Sequence, residues 1–116
     1  MPIVDHNTIE DPEVFEGVFS RQVLNHDIGP SQNITVGELK IKPGCVLPTH
    51  FHDVDEALVV VAGQGQLTVD DQPFDFKAPC TLLAEAGRKH QIKNSGTEML
   101  KIFYSFPAVR VGRTLV

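Results

Sequence analysis

The sequence predicts an all-β protein with a single domain, built as a sandwich or barrel of short strands. Three observations carry that expectation. Apolar residues almost never recur at helical spacing, short β-branched and aromatic runs recur throughout, and nearly every run ends on Gly, Pro, Asp or Asn. With 116 residues the chain has room for one core rather than two.

Residues 1–33 are the least regular part and read as a segment of the same domain that wraps its outside, with one helical turn between Glu10 and Gly17. Residues 34–106 carry the strand pattern. Ile34 to Ile41 begins with alternation and changes phase near Gly37, which predicts a bulge there. Lys42-Pro43-Gly44 is a turn. Ala57 to Ala62 is apolar at every position, which predicts a strand buried on both faces. Gly63-Gln64-Gly65 breaks that run and returns the chain into Gln66 to Val69, and Asp70 to Pro73 forms a hairpin leading to Phe74 and Phe76. Thr81 to Ala84, Lys89 to Lys93 and Met99 to Phe106 complete the strands, with Leu58, Val60, Leu67 and Leu83 expected in the core. In the last run Lys101 faces solvent, which sends Leu100, Ile102, Tyr104 and Phe106 inward. The apolar tail at 107–116 has no evident place in the barrel and is expected to pair with a neighbour's sheet edge, giving a homodimer.

Composition narrows the function classes. Ten basic and 15 acidic residues give a net charge of −5 without a basic stripe, which argues against a nucleic-acid partner. The longest apolar run, Ala57 to Ala62, is too short to cross a bilayer, and the first residues lack the pattern of a secretory signal, so a cytoplasmic protein is expected. Cys45 and Cys80 read as reduced side chains near turns rather than as a disulfide framework.

The chemistry concentrates in His50-Phe51-His52, Glu56 and His90. Strand residues two apart share a face, so His50 and His52 reach one point, with Phe51 directed away from it. Glu56 follows a short polar step, and His90 closes the site from another strand. Three imidazoles and a carboxylate without thiolate suit one divalent transition metal, Fe, Mn, Ni, Co, Cu or Zn. An octahedral ion with four protein ligands keeps two adjacent positions for small molecules, the mark of a catalytic rather than a closed structural site. His6 and His26 fall outside this pattern and are expected at the surface.

The same residues resemble a known family. Gly44, five residues, His50-x-His52, three residues, Glu56, six residues and Gly63 match the first motif of the cupin superfamily in full. Gly87, two residues, His90, three residues and Asn94 match the end of the second. Glu85 stands where that motif usually has proline, and Pro79 where it has glycine. The resemblance covers Ile34 to Phe106 and is similar to small single-domain cupins. It implies a double-stranded β-helix, or jelly-roll barrel, with His50, His52, Glu56 and His90 holding one metal inside. The two departures sit at turns and bear on the pocket rim. Glu85 is expected to be solvated, and Asn94 to bond its own backbone.

The pocket is expected to be mainly apolar, with Tyr104 favoured as a packed side chain with a satisfied hydroxyl and its hydroxyl kept as a candidate catalytic group. The leading functional expectation is a metal-dependent oxygenase of quercetin-dioxygenase-like type acting on a small molecule. The alternatives are a redox-neutral isomerase, lyase or decarboxylase on a sugar acid or keto acid, and a non-catalytic binding module. No basic cluster is evident near the site, although Arg88 and Lys89 flank His90, which disfavours a strongly anionic substrate.

Overall fold

A computed structural model of the chain describes residues 3–110 and 112–116. Met1, Pro2 and Val111, which belong to the expected N-terminal segment and tail, lie outside the described residues. The elements are β1 (Glu13–Phe15), β2 (Val18–Leu24), β3 (Thr35–Ile41), β4 (Val46–Phe51), β5 (Glu56–Ala62), β6 (Gln64–Val69), β7 (Gln72–Lys77), β8 (Cys80–Ala84), β9 (His90–Asn94), β10 (Leu100–Phe106) and β11 (Thr114–Leu115). They form a six-stranded sheet in the order β1-β2-β3-β10-β5-β8 and a five-stranded sheet in the order β11-β4-β9-β6-β7. The strand pairings among the described residues are antiparallel, and from β3 onward most connections pass from one sheet to the other. That winding is the expected double-stranded β-helix.

Turn chemistry sets the crossings. Pro43 and Gly44 (φ 77°) occupy the centre of a turn closed by a Cys45 N–H to Lys42 carbonyl bond of 3.0 Å. Asp70 and Asp71, at φ 46° and 68°, form the two-residue turn between β6 and β7, whose positive φ values match the twist of a hairpin. The core lies between the sheets, where Leu39, Ile41, Leu58, Val60, Ile92, Leu100 and Ile102 meet. On β10 the alternation is as expected: Leu100, Ile102, Tyr104 and Phe106 are buried and Lys101 is exposed.

Five expectations need correction. Residues 1–33 are not merely an irregular wrap, because β2 is a full strand between β1 and β3. No helical turn forms at Glu10 to Gly17: Pro12 and Gly17 bracket too few residues to nucleate one, the stretch becomes β1, and a single 3-10 turn lies earlier at His6–Thr8. Gly37 keeps its register opposite Tyr104 on β10, and the irregularity beside it falls on the partner strand, where β2 advances two residues from Gln22, opposite Gly37, to Leu24, opposite Val36; further register shifts lie between Leu47 and His50 on β4, Glu13 and Phe15 on β1, and Lys101 and Ile102 on β10. β5 is buried on one face only, with Val59 and Val61 at 45% and 49% exposure, because among the described residues no further layer covers the outside of this sheet. For the same reason Leu83 is exposed, and its neighbour Leu82, which pairs with the buried Leu58, takes the core position.

The tail also differs from expectation. Thr114 and Leu115 pair within the chain with Phe51 and His50, and the Val116 N–H donates to the Thr49 carbonyl at 3.1 Å. It thereby covers the edge of β4 that a neighbour would otherwise use. Cys45 and Cys80 are free thiols. No helix among the described residues is long and apolar enough to cross a membrane.

Candidate metal centre

The β4 bulge sets the direction of the first histidine. Leu47 and His50 are both buried although three positions apart, because β4 advances three residues from Leu47 to His50 while β9 advances two, from Ile92 to His90. Simple alternation from Leu47 would turn Thr49 inward and His50 outward. The extra residue at Pro48-Thr49 reverses the phase, and Pro48 is tolerated there because a bulge leaves an amide unpaired. His50 then stands directly opposite His90, the first residue of β9. His52 follows just beyond β4, and Glu56 opens β5 in the other sheet, so both sheets contribute to the cluster.

All four side chains are buried, at 2% (His50), 8% (His52), 5% (Glu56) and 1% (His90) exposure. One candidate ligand atom from each lies within 4.8 Å of the others. Oε1 of Glu56 is 3.7 Å from Nε2 of His52 and 3.5 Å from Nε2 of His90. Each Nδ1 faces a backbone carbonyl: His50 that of Pro48 at 2.8 Å, His52 that of Gly112 at 2.8 Å, and His90 that of Arg88 at 3.1 Å. A carbonyl only accepts, so each Nδ1 carries the proton and each Nε2 presents a lone pair to the cluster. Nε2 of His90 is buried without any hydrogen-bond partner. A buried orphan is costly unless something fills it. Three aimed lone pairs, one carboxylate and that orphan fit a single metal ion.

Burial, reinforced by His90, His52 and Arg113, pushes His50 down from 6.5 to about 3, against the raising effect of the Pro48 carbonyl. The ring is therefore neutral, as a ligand must be.

A cavity of about 220 Å³ opens above the cluster. Leu39, Leu47 and Phe106 form an apolar wall, while Ser20, Gln22, Tyr104 and Arg113 form a polar one. The mainly apolar pocket expected from the sequence is thus half polar. The missing residues come from the two segments to which the sequence assigned no place in the barrel: β2 turns polar Ser20 and Gln22 toward the cavity, and the tail delivers Arg113. The Tyr104 hydroxyl lies 3.0 Å from Ser20 Oγ, and burial raises its pKa, with the Ser20 bond acting in the opposite sense. It lines the cavity and is hydrogen-bonded at once.

The other candidates lie away from the cavity. Arg88 pairs with Asp70, and Glu85 is exposed, 3.7 Å from Arg88. His26 is exposed, and His6 is half-buried beside Phe103. Asn94 does bond its own turn, accepting from the Gly96 N–H at 2.9 Å, but it is fully buried and also donates to the Ile41 and Glu98 carbonyls at 2.8 Å each.

A two-sheet β-helix with His50, His52 and Glu56 at the floor of its cavity and His90 buried beside them defines a barrel with a possible single-metal site. The family model of the cupin domain matches residues 37–106, and the chain belongs to the cupin family. Among solved structures it is similar to the formate complex of oxalate decarboxylase from Lactobacillus farciminis, with 22% identity and a TM-score of 0.87 over 95% of this chain and 34% of that one. It is also similar to the polyketide cyclase RemF from Streptomyces resistomycificus, with 15% identity and a TM-score of 0.84 over 100% of this chain and 85% of that one. A conserved protein with a double-stranded β-helix domain from Klebsiella pneumoniae aligns at 19% identity and a TM-score of 0.81 over 100% of this chain and 97% of that one. The chain spans about a third of the length of the oxalate decarboxylase it matches. At these identities the likeness is one of fold.

Proposed function

We propose that this cupin is a metal-dependent enzyme acting on a small organic molecule in the barrel cavity, with His50, His52, Glu56 and His90 as ligands of one divalent transition metal. The observation that carries the reading is the convergence of three Nε2 lone pairs and one carboxylate beneath a cavity, with every Nδ1 held by a carbonyl. When bound, the ion supplies a Lewis acid that polarises a carbonyl or carboxylate oxygen.

The favoured class is redox-neutral: a lyase, isomerase or decarboxylase. The polar wall supports it, because Tyr104 stays protonated when its pKa is raised and can offer its O–H to a substrate oxygen while its own oxygen accepts a hydrogen bond from the Ser20 hydroxyl. The names of two similar structures, a decarboxylase and a cyclase, point the same way. A metal-dependent oxygenase is the second reading, supported by the Leu39, Leu47 and Phe106 wall, which excludes water. The cavity of about 220 Å³ is below the roughly 300 Å³ at which drug-sized sites begin, which disfavours a flavonol.

Metal content of tag-free protein, beside a His50→Ala/His52→Ala variant, tests the proposal. One equivalent per chain that the variant loses is the expected result, and no uptake by either protein after reconstitution would overturn it. Oxygen consumption during turnover then separates the two classes.

We also propose that the chain pairs with a second copy of itself. Val59, Val61 and Leu83 stand exposed on adjoining strands, and β8 is an edge to which a two-fold copy can add. Sedimentation should give a dimer that Leu83→Asp converts to monomer, and a wild-type monomer at working concentration would reject the pairing.

A further inference from the structure

The tail contributes more than an edge strand. The Gly112 carbonyl holds His52 Nδ1, and Thr114 pairs with Phe51, so Arg113 is fixed on both sides of its own backbone. Its guanidinium lies over the ring of Phe15, 5.3 Å from the centroid, and Phe15 belongs to β1 in the opposite sheet. Arg113 therefore reaches from one sheet to the other at the cavity it lines.

Its charge is also unmatched. Arg21 is paired with Glu38 and Arg88 with Asp70, whereas among the described residues no carboxylate lies within ion-pair distance of Arg113. A guanidinium held by an aromatic face and left without an anion offers its fork of N–H donors to whatever enters the cavity. The charge balance agrees. A divalent ion brings two positive charges, Glu56 removes one and Arg113 adds one, so a filled site is cationic until an anion enters. Gln22 and the Ser20–Tyr104 hydroxyl pair supply neutral donors and acceptors between the two ends.

We infer that Arg113 is a substrate-recognition residue for a carboxylate, and that the cavity takes small monocarboxylic acids whose second oxygen function faces the histidine cluster. The inference rests on the proposed metal-dependent function and adds the class of substrate to it. It also qualifies the expectation, drawn from the lack of a basic cluster, that a strongly anionic substrate is disfavoured: a single arginine suits a single carboxylate.

The experiment compares small acids with their uncharged amides: lactate with lactamide, pyruvate with pyruvamide and glycolate with glycolamide. Calorimetric titrations use the full chain, loaded with manganese or stripped by chelator, as wild type, Arg113→Gln and Arg113→Lys, with metal content measured in each. The metal itself attracts carboxylates, so the variant comparison is decisive. Arg113→Gln should weaken binding of at least one acid tenfold or more, leave its amide and the metal stoichiometry unchanged, and be partly rescued by Arg113→Lys. An equal loss for acid and amide, no loss at all, or no acid bound better than its amide by wild type would each overturn the inference. If the wild type takes up no manganese, the metal-dependent reading fails by itself, and the acid–amide difference in stripped protein still tests Arg113.

Discussion

Gly37→Ala is the most revealing single change available in this barrel. Gly37 is the direct cross-strand partner of Tyr104, and the tyrosine ring lies across it. A methyl built there falls inside contact distance of Tyr104 Cζ, Cε2 and Oη. Ordinary carbon–carbon contact needs about 3.5–4.0 Å, so the ring would have to move by roughly 1.5 Å. It has little room to do so, because Phe106 packs beside it at 5.6 Å and Ser20 holds its hydroxyl at 3.0 Å. Overpacking of this kind costs about 1–3 kcal/mol, and loss of the Ser20 hydrogen bond adds about 1 kcal/mol. Urea unfolding should therefore show Gly37→Ala destabilised by roughly 2–4 kcal/mol, a large share of a typical domain's stability. Tyr104→Phe should not relieve the cost, since Cζ itself is in the way. Tyr104→Ala removes the clash, and in that background Gly37→Ala should cost less than about 0.5 kcal/mol. An equal cost in both backgrounds, or a stable Gly37→Ala single variant, would refute the idea that this glycine exists to seat the tyrosine.

Asn94→Ala should lower stability by about 2–4 kcal/mol in urea, because it strips the Ile41 and Glu98 carbonyls and the Gly96 N–H of their partner in a fully buried place. A loss under 1 kcal/mol would mean that water replaces the amide. In metal-free protein His50 is pushed down to about 3 while the unfolded chain titrates near 6.5, so its contribution is complete above pH 6.5 and declines as pH falls from there toward 3. The slope is about 1.4 kcal/mol per pH unit, or roughly 2 kcal/mol by pH 5, and His50→Asn should abolish that share; equal pH slopes for wild type and variant would reject it. A chain ending at Arg110 loses the Gly112 carbonyl that orients His52, so its metal affinity in competition with a chelating dye should fall about 10–100-fold while the barrel's circular dichroism persists. Unchanged affinity would show that the tail does not position the ligand.

The motif His50-x-His52…Glu56…His90 was legible because spacing alone identifies a cluster whose members come from two sheets. The strands were legible because their turns carry specific chemistry, such as Pro43-Gly44 and Asp70-Asp71. What the sequence concealed has one physical cause: faces are assigned by alternation, and alternation is silent where residues are uniformly apolar or uniformly polar. Val59 and Val61 look like core but face solvent, because apolarity does not say whether another layer covers the sheet. Leu83 beside Leu82 offers no phase at all. Ser20, Gln22 and Arg113 look like surface but line the cavity. A bulge was sought in β3 at Gly37, which instead seats a tyrosine; the extra residue lies on the partner strand β2 between Gln22 and Leu24, and the bulge that aims His50, at Pro48-Thr49, carries no such signal.

The surroundings of the cluster also constrain its electronics. Many metal-binding histidines donate their second N–H to a carboxylate, which raises the basicity of the ring. Here all three Nδ1 groups meet neutral carbonyls, those of Pro48, Gly112 and Arg88. The carbonyls fix the tautomer and the ring orientation without adding negative charge. Glu56 is then the one anionic side chain of the cluster, so an ion held there would keep most of its positive charge and its strength as a Lewis acid. That favours carbonyl or carboxylate polarisation over stabilisation of a higher oxidation state, which needs more electron-rich ligands. The same reasoning explains why the acceptors come from a bulge, a tail and the turn before β9. A regular antiparallel strand commits its carbonyls to the ladder, whereas the irregular backbone at Pro48 and Gly112 leaves them free to turn toward a ring. The bulge on β4 and the pairing of β11 therefore shape the chemistry open to the cluster as directly as the identity of the four side chains that converge there.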